Sequence, residues 1–217
     1  MDGIKMKESK DPFRKSEKIF AKACKHLGKN EYAAAIEYLN EIIEGEPWSA
    51  VAHYNRALAY QHTGDFERAI SDYTKAIRLN PQDSDSFNNR GMAYVSLGKP
   101  ELALPDLSDA IRLAPKDKKT YFNRGIALSE LEEHGKAILD FTTALQLDPH
   151  YADALYNRGL DYKRLSNGKE AIKDFTDYLQ LVPDDAEAYK IRGELYKRVG
   201  ELKKGEKDIS TAIRLTN

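Results

Sequence analysis

The sequence predicts an all-α array of six helix-turn-helix units, on three observations. Pro47, Pro81, Pro115, Pro149 and Pro183 stand 34 residues apart, and self-similarity at a fixed period of that length marks stacked repeats. Each period holds two stretches whose apolar residues lie three and four apart, interrupted by helix-stop signals. Small residues fall where two antiparallel helices approach most closely, as at Ala57 and Ala69, or Gly125 and Ala137. A larger side chain there would push the helices apart or force strained rotamers, at roughly 1–3 kcal/mol. Strand signals are absent.

The period gives units at 16–49, 50–83, 84–117, 118–151, 152–185 and 186–217. Residues 1–15 are expected to form a disordered charged tail, because they offer almost nothing to bury. In the first unit Lys18, Lys25 and Lys29 occupy the face that interior units turn toward their predecessor, and a lysine row there is a solvated end. In unit 50–83, Tyr54, Ala57 and Tyr60 form the first stripe, and Ala69, Tyr73, Ala76 and Ile77 the second. Gly64-Asp65 separates the stripes and Asn80-Pro81 closes the pair. Unit 84–117 carries Pro105 inside its second helix, where proline removes a hydrogen bond and crowds the preceding turn. A start displaced to 102–104, or a kink, is expected there. Unit 118–151 turns Thr120, Ala127 and Leu131 toward its predecessor, and unit 152–185 repeats the motif YNRG at 156–159. In unit 186–217, Glu206 replaces the apolar residue seen at Ile70, Leu104, Ile138 and Ile172, yet Ile213 stays apolar. Repeat arrays need polarised ends. This end is only half polarised, which fits either a truncated array or a surface for self-association.

The 34 basic and 35 acidic side chains give a net charge of -1. That balance argues against nucleic acid and against a membrane surface, since phosphate binding rests on clustered basic excess. Cys24 is the single cysteine, so the chain has no internal disulfide and suits a reducing compartment. No apolar run reaches the roughly 18 residues of a membrane span. The N-terminal residues hold no apolar core of a signal peptide, and a cytoplasmic protein is expected.

The motif YFNRG at 121–125, with YNRA at 54–57, NNRG at 88–91 and YNRG at 156–159, poses the functional question. Arg56, Arg90, Arg124, Arg158 and Arg192 are each followed 16 residues later by Asp72, Asp106, Asp140, Asp174 and Asp208. The first unit has Lys22 and Tyr38 in those places. This co-occurrence points to structural pairs rather than catalysis. An aspartate could face the arginine of its own unit or that of the next, 18 residues on. Pairing within the unit leaves no orphan. Gly91, Gly125, Gly159 and Gly193 stand where Ala57 serves, so small size is the requirement, and no phosphate-cradling loop is implied. His134 and His150 fall at turns, where solvated histidines are expected. His53 and His62 point to different faces of one helix, and none of the five histidines has metal-ligand spacing. No nucleophile–base arrangement is readable, so neither an enzyme nor a cofactor is expected.

The spacing of small residue, tyrosine, alanine, aromatic, alanine and proline resembles the tetratricopeptide repeat family over about residues 16 to 217. The resemblance implies an α-solenoid in which the helix pairs stack as a right-handed superhelix. Its concave groove would be lined mainly by each unit's first helix and would bind another protein or a peptide. By the same mapping, Asn55, Asn89, Asn123 and Asn157 face the groove, where amides suit the backbone of an extended ligand. Beside them the mapping sets a floor of Tyr54, Phe122 and Tyr156, with Met92 one turn along. Lys163, Arg164, Lys197 and Arg198 make the C-terminal end basic. A subclass that clamps acidic chaperone tails needs Lys–x3–Asn on one first helix. Here that pattern would fall on Tyr54 and Leu58, or Phe122 and Ile126, while Lys119 with Asn123 only resembles the clamp's third helix. A co-chaperone and a self-assembling module remain the alternatives to a general peptide-binding scaffold.

Overall fold

The structure is a computed structural model and describes residues 12–216. Among the described residues, helices are the sole regular elements. The chain divides into two compact units, Met1–Leu97 and Gly98–Asn217. The first holds α1 (Pro12–Leu27), α2 (Tyr32–Gly45), α3 (Ala50–His62), α4 (Phe66–Leu79) and α5 (Ser84–Ser96). The second holds α6 (Pro100–Leu113), α7 (Lys118–Glu130), α8 (His134–Leu147), α9 (Ala152–Arg164), α10 (Gly168–Leu181), α11 (Ala186–Arg198) and α12 (Leu202–Thr216). Within each unit every helix packs on the one before it and the one after it. First helices also touch across a repeat, α3 on α5 and α7 on α9. Helix α1 begins at Pro12, ahead of the expected Ser16, and the rest of the expected tail lies outside the described residues.

Local chemistry sets the helix ends. Ser49, Asp65, Asp117 and Asp185 each accept a hydrogen bond from a backbone N–H of the turn they precede, meeting donors that a helix N-terminus leaves open. Every hairpin turns through one residue in the left-handed region: Asn30, Gly64, Gly98, Glu132, Ser166 and Gly200. These six positions share the 34-residue period. A Cβ on Gly64, Gly98 or Gly200 would meet nothing within 4 Å. The demand at this turn is therefore conformational, and Glu132 and Ser166 meet it at some cost.

Within each compact unit the core lies between successive helices. Ala57, Tyr60, Ala69 and Tyr73 form one buried cluster, and Leu128, Ala137 and Phe141 another. A larger cluster, including Leu155, Phe175, Leu179 and Ile191, runs through α8 to α11. Across the α7–α8 hairpin, a Cβ on Gly125 would lie 2.6 Å from the Phe141 ring. Glycine there is a matter of space. In the first unit Lys18, Lys25 and Lys29 are exposed. Lys22 lies over the ring of Tyr38, 5.5 Å from its centroid. A cation–π contact thus stands where later repeats put arginine and aspartate.

Pro105 departs from the expected late start. Helix α6 begins at Pro100 and runs through Pro105 to Leu113. Pro105 and Glu101, whose carbonyl loses its partner, are both exposed, so water can take up the freed acceptor.

Candidate functional site

The recurring motif separates into neighbours with different surroundings. Arg56, Arg124, Arg158 and Arg192 each grip an aspartate of their own hairpin with two nitrogens. For Arg124 the bonds are Nε to Asp140 Oδ2 at 2.7 Å and Nη2 to Asp140 Oδ1 at 2.8 Å. Arg56 holds Asp72, Arg158 holds Asp174 and Arg192 holds Asp208 in the same bidentate form. All of these aspartates are buried, as is Asp106 at the same register. The hydrogen bonds of Asp72 and Asp140 hold the Arg56 and Arg124 guanidiniums above their ordinary pKa. For Arg158 and Arg192 burial works against the cation, and the hydrogen bonds and charge of Asp174 and Asp208 together outweigh it.

The third guanidinium nitrogen reaches backward. Arg56 Nη1 donates to Asn40 Oδ1 at 2.7 Å, Arg90 Nη1 to Thr74 Oγ1 at 2.9 Å, and Arg124 Nη1 to Ser108 Oγ at 3.2 Å. Arg158 and Arg192 reach Thr142 and Thr176 in the same way. The acceptors lie on the second helix of the preceding hairpin, each 16 residues before its arginine. Thr74, Ser108 and Thr176 donate their own hydroxyl hydrogens to the carbonyls of Ile70, Leu104 and Ile172, which leaves oxygen lone pairs for the guanidinium. Sequence reasoning missed these acceptors. Their shared period was the available signal.

The asparagines occupy a different setting. Asn55 and Asn157 are half-buried, and each donates from Nδ2 to a carbonyl one turn back, Val51 and Asp153, at 2.8 Å. Asn89 Nδ2 donates to Tyr54 Oη at 3.1 Å, and Asn123 is half-buried on α7. For Asn55 and Asn157 each of these bonds uses one amide hydrogen, and an amide side chain carries a second hydrogen and a carbonyl acceptor besides. Tyr54 lies edge-on to Tyr73, with ring centroids 5.8 Å apart. Phe122 packs between Phe141 and Tyr151, and Tyr156 between Phe175 and Tyr178. These aromatics are half in the core and half at the surface, as is Met92. Burial, aided by nearby carboxylates, pushes the Tyr54 and Tyr156 phenols up.

The basic residues at the end of the row lie on two helices. Lys163 Nζ is 4.0 Å from Glu194 Oε2. Arg164, Lys197 and Arg198 are exposed, and Arg164 Nη1 donates to Asp161 Oδ1 at 2.8 Å. Asp161 is fully buried and also receives the Ser129 hydroxyl and His134 Nδ1, the latter at 3.0 Å. His134 is therefore held in a polar cluster rather than solvated, which corrects the expectation for a turn histidine. Asp161 occupies the register of Ala59, Ala93, Ala127 and Leu195, all buried. His53 is buried too, bridging Asp72 Oδ1 at 3.2 Å and the Pro47 carbonyl at 3.1 Å.

Tetratricopeptide repeat models match residues 50–83, 72–104 and 119–151. No curated protein sequence matches the chain. Solved structures do. YrrB, described as a TPR protein with an unusual peptide-binding site, has 27% identity and a TM-score of 0.68, covering 78% of this chain and 88% of its own. MamA from Desulfovibrio magneticus RS-1 has 25% identity and a TM-score of 0.74, covering 78% of this chain and 96% of its own. The type IV pilus biogenesis factor PilW, at 18% identity and a TM-score of 0.78 over 89% of this chain and 90% of its own, shares the fold. Repeated helical hairpins tied by buried polar rungs define a helical-repeat scaffold protein. Over residues 50–104 and 119–151 its repeats match tetratricopeptide repeats, and together with the solved neighbours they support a tetratricopeptide repeat protein. Among the described residues no helix is long and apolar enough to cross a membrane.

Proposed function

We propose that the chain is a non-enzymatic scaffold holding a peptide or protein segment of a partner in the groove lined by its first helices. One observation carries this reading. On α3, α5, α7 and α9 an amide recurs at one register, beside side chains that the packing consumes: arginines bound into rungs and small residues at helix contacts. Asn55, Asn89, Asn123 and Asn157 would bond the ligand backbone, and Tyr54, Met92, Phe122 and Tyr156 would meet its apolar side chains. Lys163, Arg164, Lys197 and Arg198 suit acidic residues at the other end. The partner is a protein rather than nucleic acid or membrane, and the compartment is the cytoplasm.

The test is a pull-down comparing the wild type with a variant carrying Asn89→Ala, Asn123→Ala and Asn157→Ala. Loss of captured partners from a variant with wild-type circular dichroism is expected, and an unchanged set would overturn the groove reading. A second reading, self-association through the C-terminal repeat, rests on Ile213, which is 57% exposed where Leu145 and Leu179 are buried at the same register. Light scattering on the wild type and Ile213→Lys tests it, a concentration-dependent mass in the former only being the expected sign.

A further inference from the structure

An open pocket of about 250 Å³ lies in the first compact unit, lined by Ser16, Glu17, Phe20, Ile42, Glu46, Ser49 and Val51. Two residues at its edge break the pattern of the repeat. Val51 is 56% exposed, whereas its register holds a charge in every other repeat: Glu17, Asp85, Lys119, Asp153 and Glu187. Trp48, one residue before the pocket wall at Ser49, is 70% exposed. Its register holds Gln82, Lys116, His150 and Asp184 elsewhere. Exposing two apolar side chains where the other repeats carry polar ones costs solubility with no return in packing, and such patches mark contact surfaces. The loop bearing Trp48 is also fixed, because His53 Nε2 lies 3.1 Å from the Pro47 carbonyl and Nδ1 lies 3.2 Å from the Asp72 carboxylate.

The two charged side chains in the pocket wall are both acidic. Glu17 and Glu46 stand in the pocket wall, with Glu46 accepting a hydrogen bond from Ser16. Helix α2 and its C-cap give the wall Ile42 and Glu46, and the helix holds neither lysine nor arginine, while Lys18, Lys22 and Lys25 of α1 are exposed and not among the lining residues. We infer that this pocket anchors one bulky apolar side chain of a partner segment that carries lysine or arginine beside it. Phe20, Ile42 and Val51 take the apolar group, Glu17 and Glu46 meet the cation, and exposed Trp48 stands in the loop beside them. The inference rests on the scaffold reading above and gives one end of the ligand its chemistry.

Trp48 is the sole tryptophan and adjoins Ser49 of the wall, so its emission reports on the loop beside the pocket. The probes are three short synthetic peptides: leucine flanked by lysines, leucine flanked by glutamates, and alanine flanked by lysines. Titrated into the full chain, the first should shift Trp48 emission to the blue, with the other two about tenfold weaker or silent. Val51→Asp restores the residue type of Asp85 and Asp153, so the fold is kept, and it should weaken the first peptide about tenfold. No shift with any peptide, equal binding of the glutamate peptide, or unchanged binding by Val51→Asp would each overturn the pocket. So would Trp48 emission that shifts with protein concentration alone, which would make a second copy the occupant. The asparagine triple variant separates this from the groove reading. If it loses the leucine–lysine peptide while Val51→Asp keeps it, the pocket fails and the groove stands. The reverse pattern, with partner capture unaffected by the triple variant, leaves the pocket and removes the groove.

Discussion

The arginine of the repeated motif is a three-way joint, and its value comes from burying the charge it neutralises. Asp140 is 8% exposed at its side chain and Arg124 27%. Arg124→Leu leaves that carboxylate without its cation and should cost about 3 kcal/mol, read as a lower denaturant midpoint. An unchanged midpoint would make the pair a surface ornament. The backward bond is weaker and separable. Thr142→Val keeps the shape, removes the oxygen that Arg158 Nη1 reaches at 3.0 Å, and should cost about 1 kcal/mol. The co-occurrence of arginine and aspartate was legible in the sequence because both members are ionisable and stand out. The hydroxyl acceptors were not, because serine and threonine on a helix usually signal nothing beyond solvent exposure.

At the scale of the element, turns and crossings ask for different things from small residues. Glu132 sits at φ 59°, where the matching residues Gly64 and Gly98 stand at 80° and 68°. Glu132→Gly should therefore raise stability by about 1 kcal/mol, measurable as an upward shift in Tm. Gly125→Ala works the other way. Its added methyl must displace the Phe141 ring, at roughly 1–3 kcal/mol, which exceeds or offsets the ~1 kcal/mol gain in helix propensity. A stabilised Gly125→Ala would mean the ring moves freely. Helix count, order and hairpin pairing could be read from the period and from Gly, Asn and Pro signals. The course of α6 could not. Pro105 looked disruptive because a sequence does not show that the orphaned Glu101 carbonyl faces water. Nor did it show that Tyr54, Phe122 and Tyr156 lean against Tyr73, Phe141 and Phe175, since register fixes a face but not how far a ring sinks into it.

At the scale of the whole molecule, many tyrosines act together. Burial, joined by Asp153, Asp117 and Asp148, pushes the Tyr151 phenol up to about 12. Tyr54, Tyr73, Tyr156 and Tyr178 are raised by the same cause. In each the folded state holds the proton more tightly than the unfolded chain, whose phenols titrate near 10. Stability is thus full below pH 10 and drains as pH climbs to about 12. Tyrosinate absorbance and helical circular dichroism should change together across that window. Phenols that all titrate near 10 with the helices intact would contradict it. The rungs decide something further, namely which piece the chain can lose. Excising residues 152–185 brings Thr142 to the spacing from Arg192 that it now has from Arg158, and the splice heals itself. Excising 118–151 also restores a rung, Ser108 to Arg158, but takes away Ser129 and His134 and leaves buried Asp161 with Arg164 alone of these three partners. Two cuts of equal length, one silent and one costly, would show that these two copies are interchangeable in their rungs but not at the seam that holds Asp161.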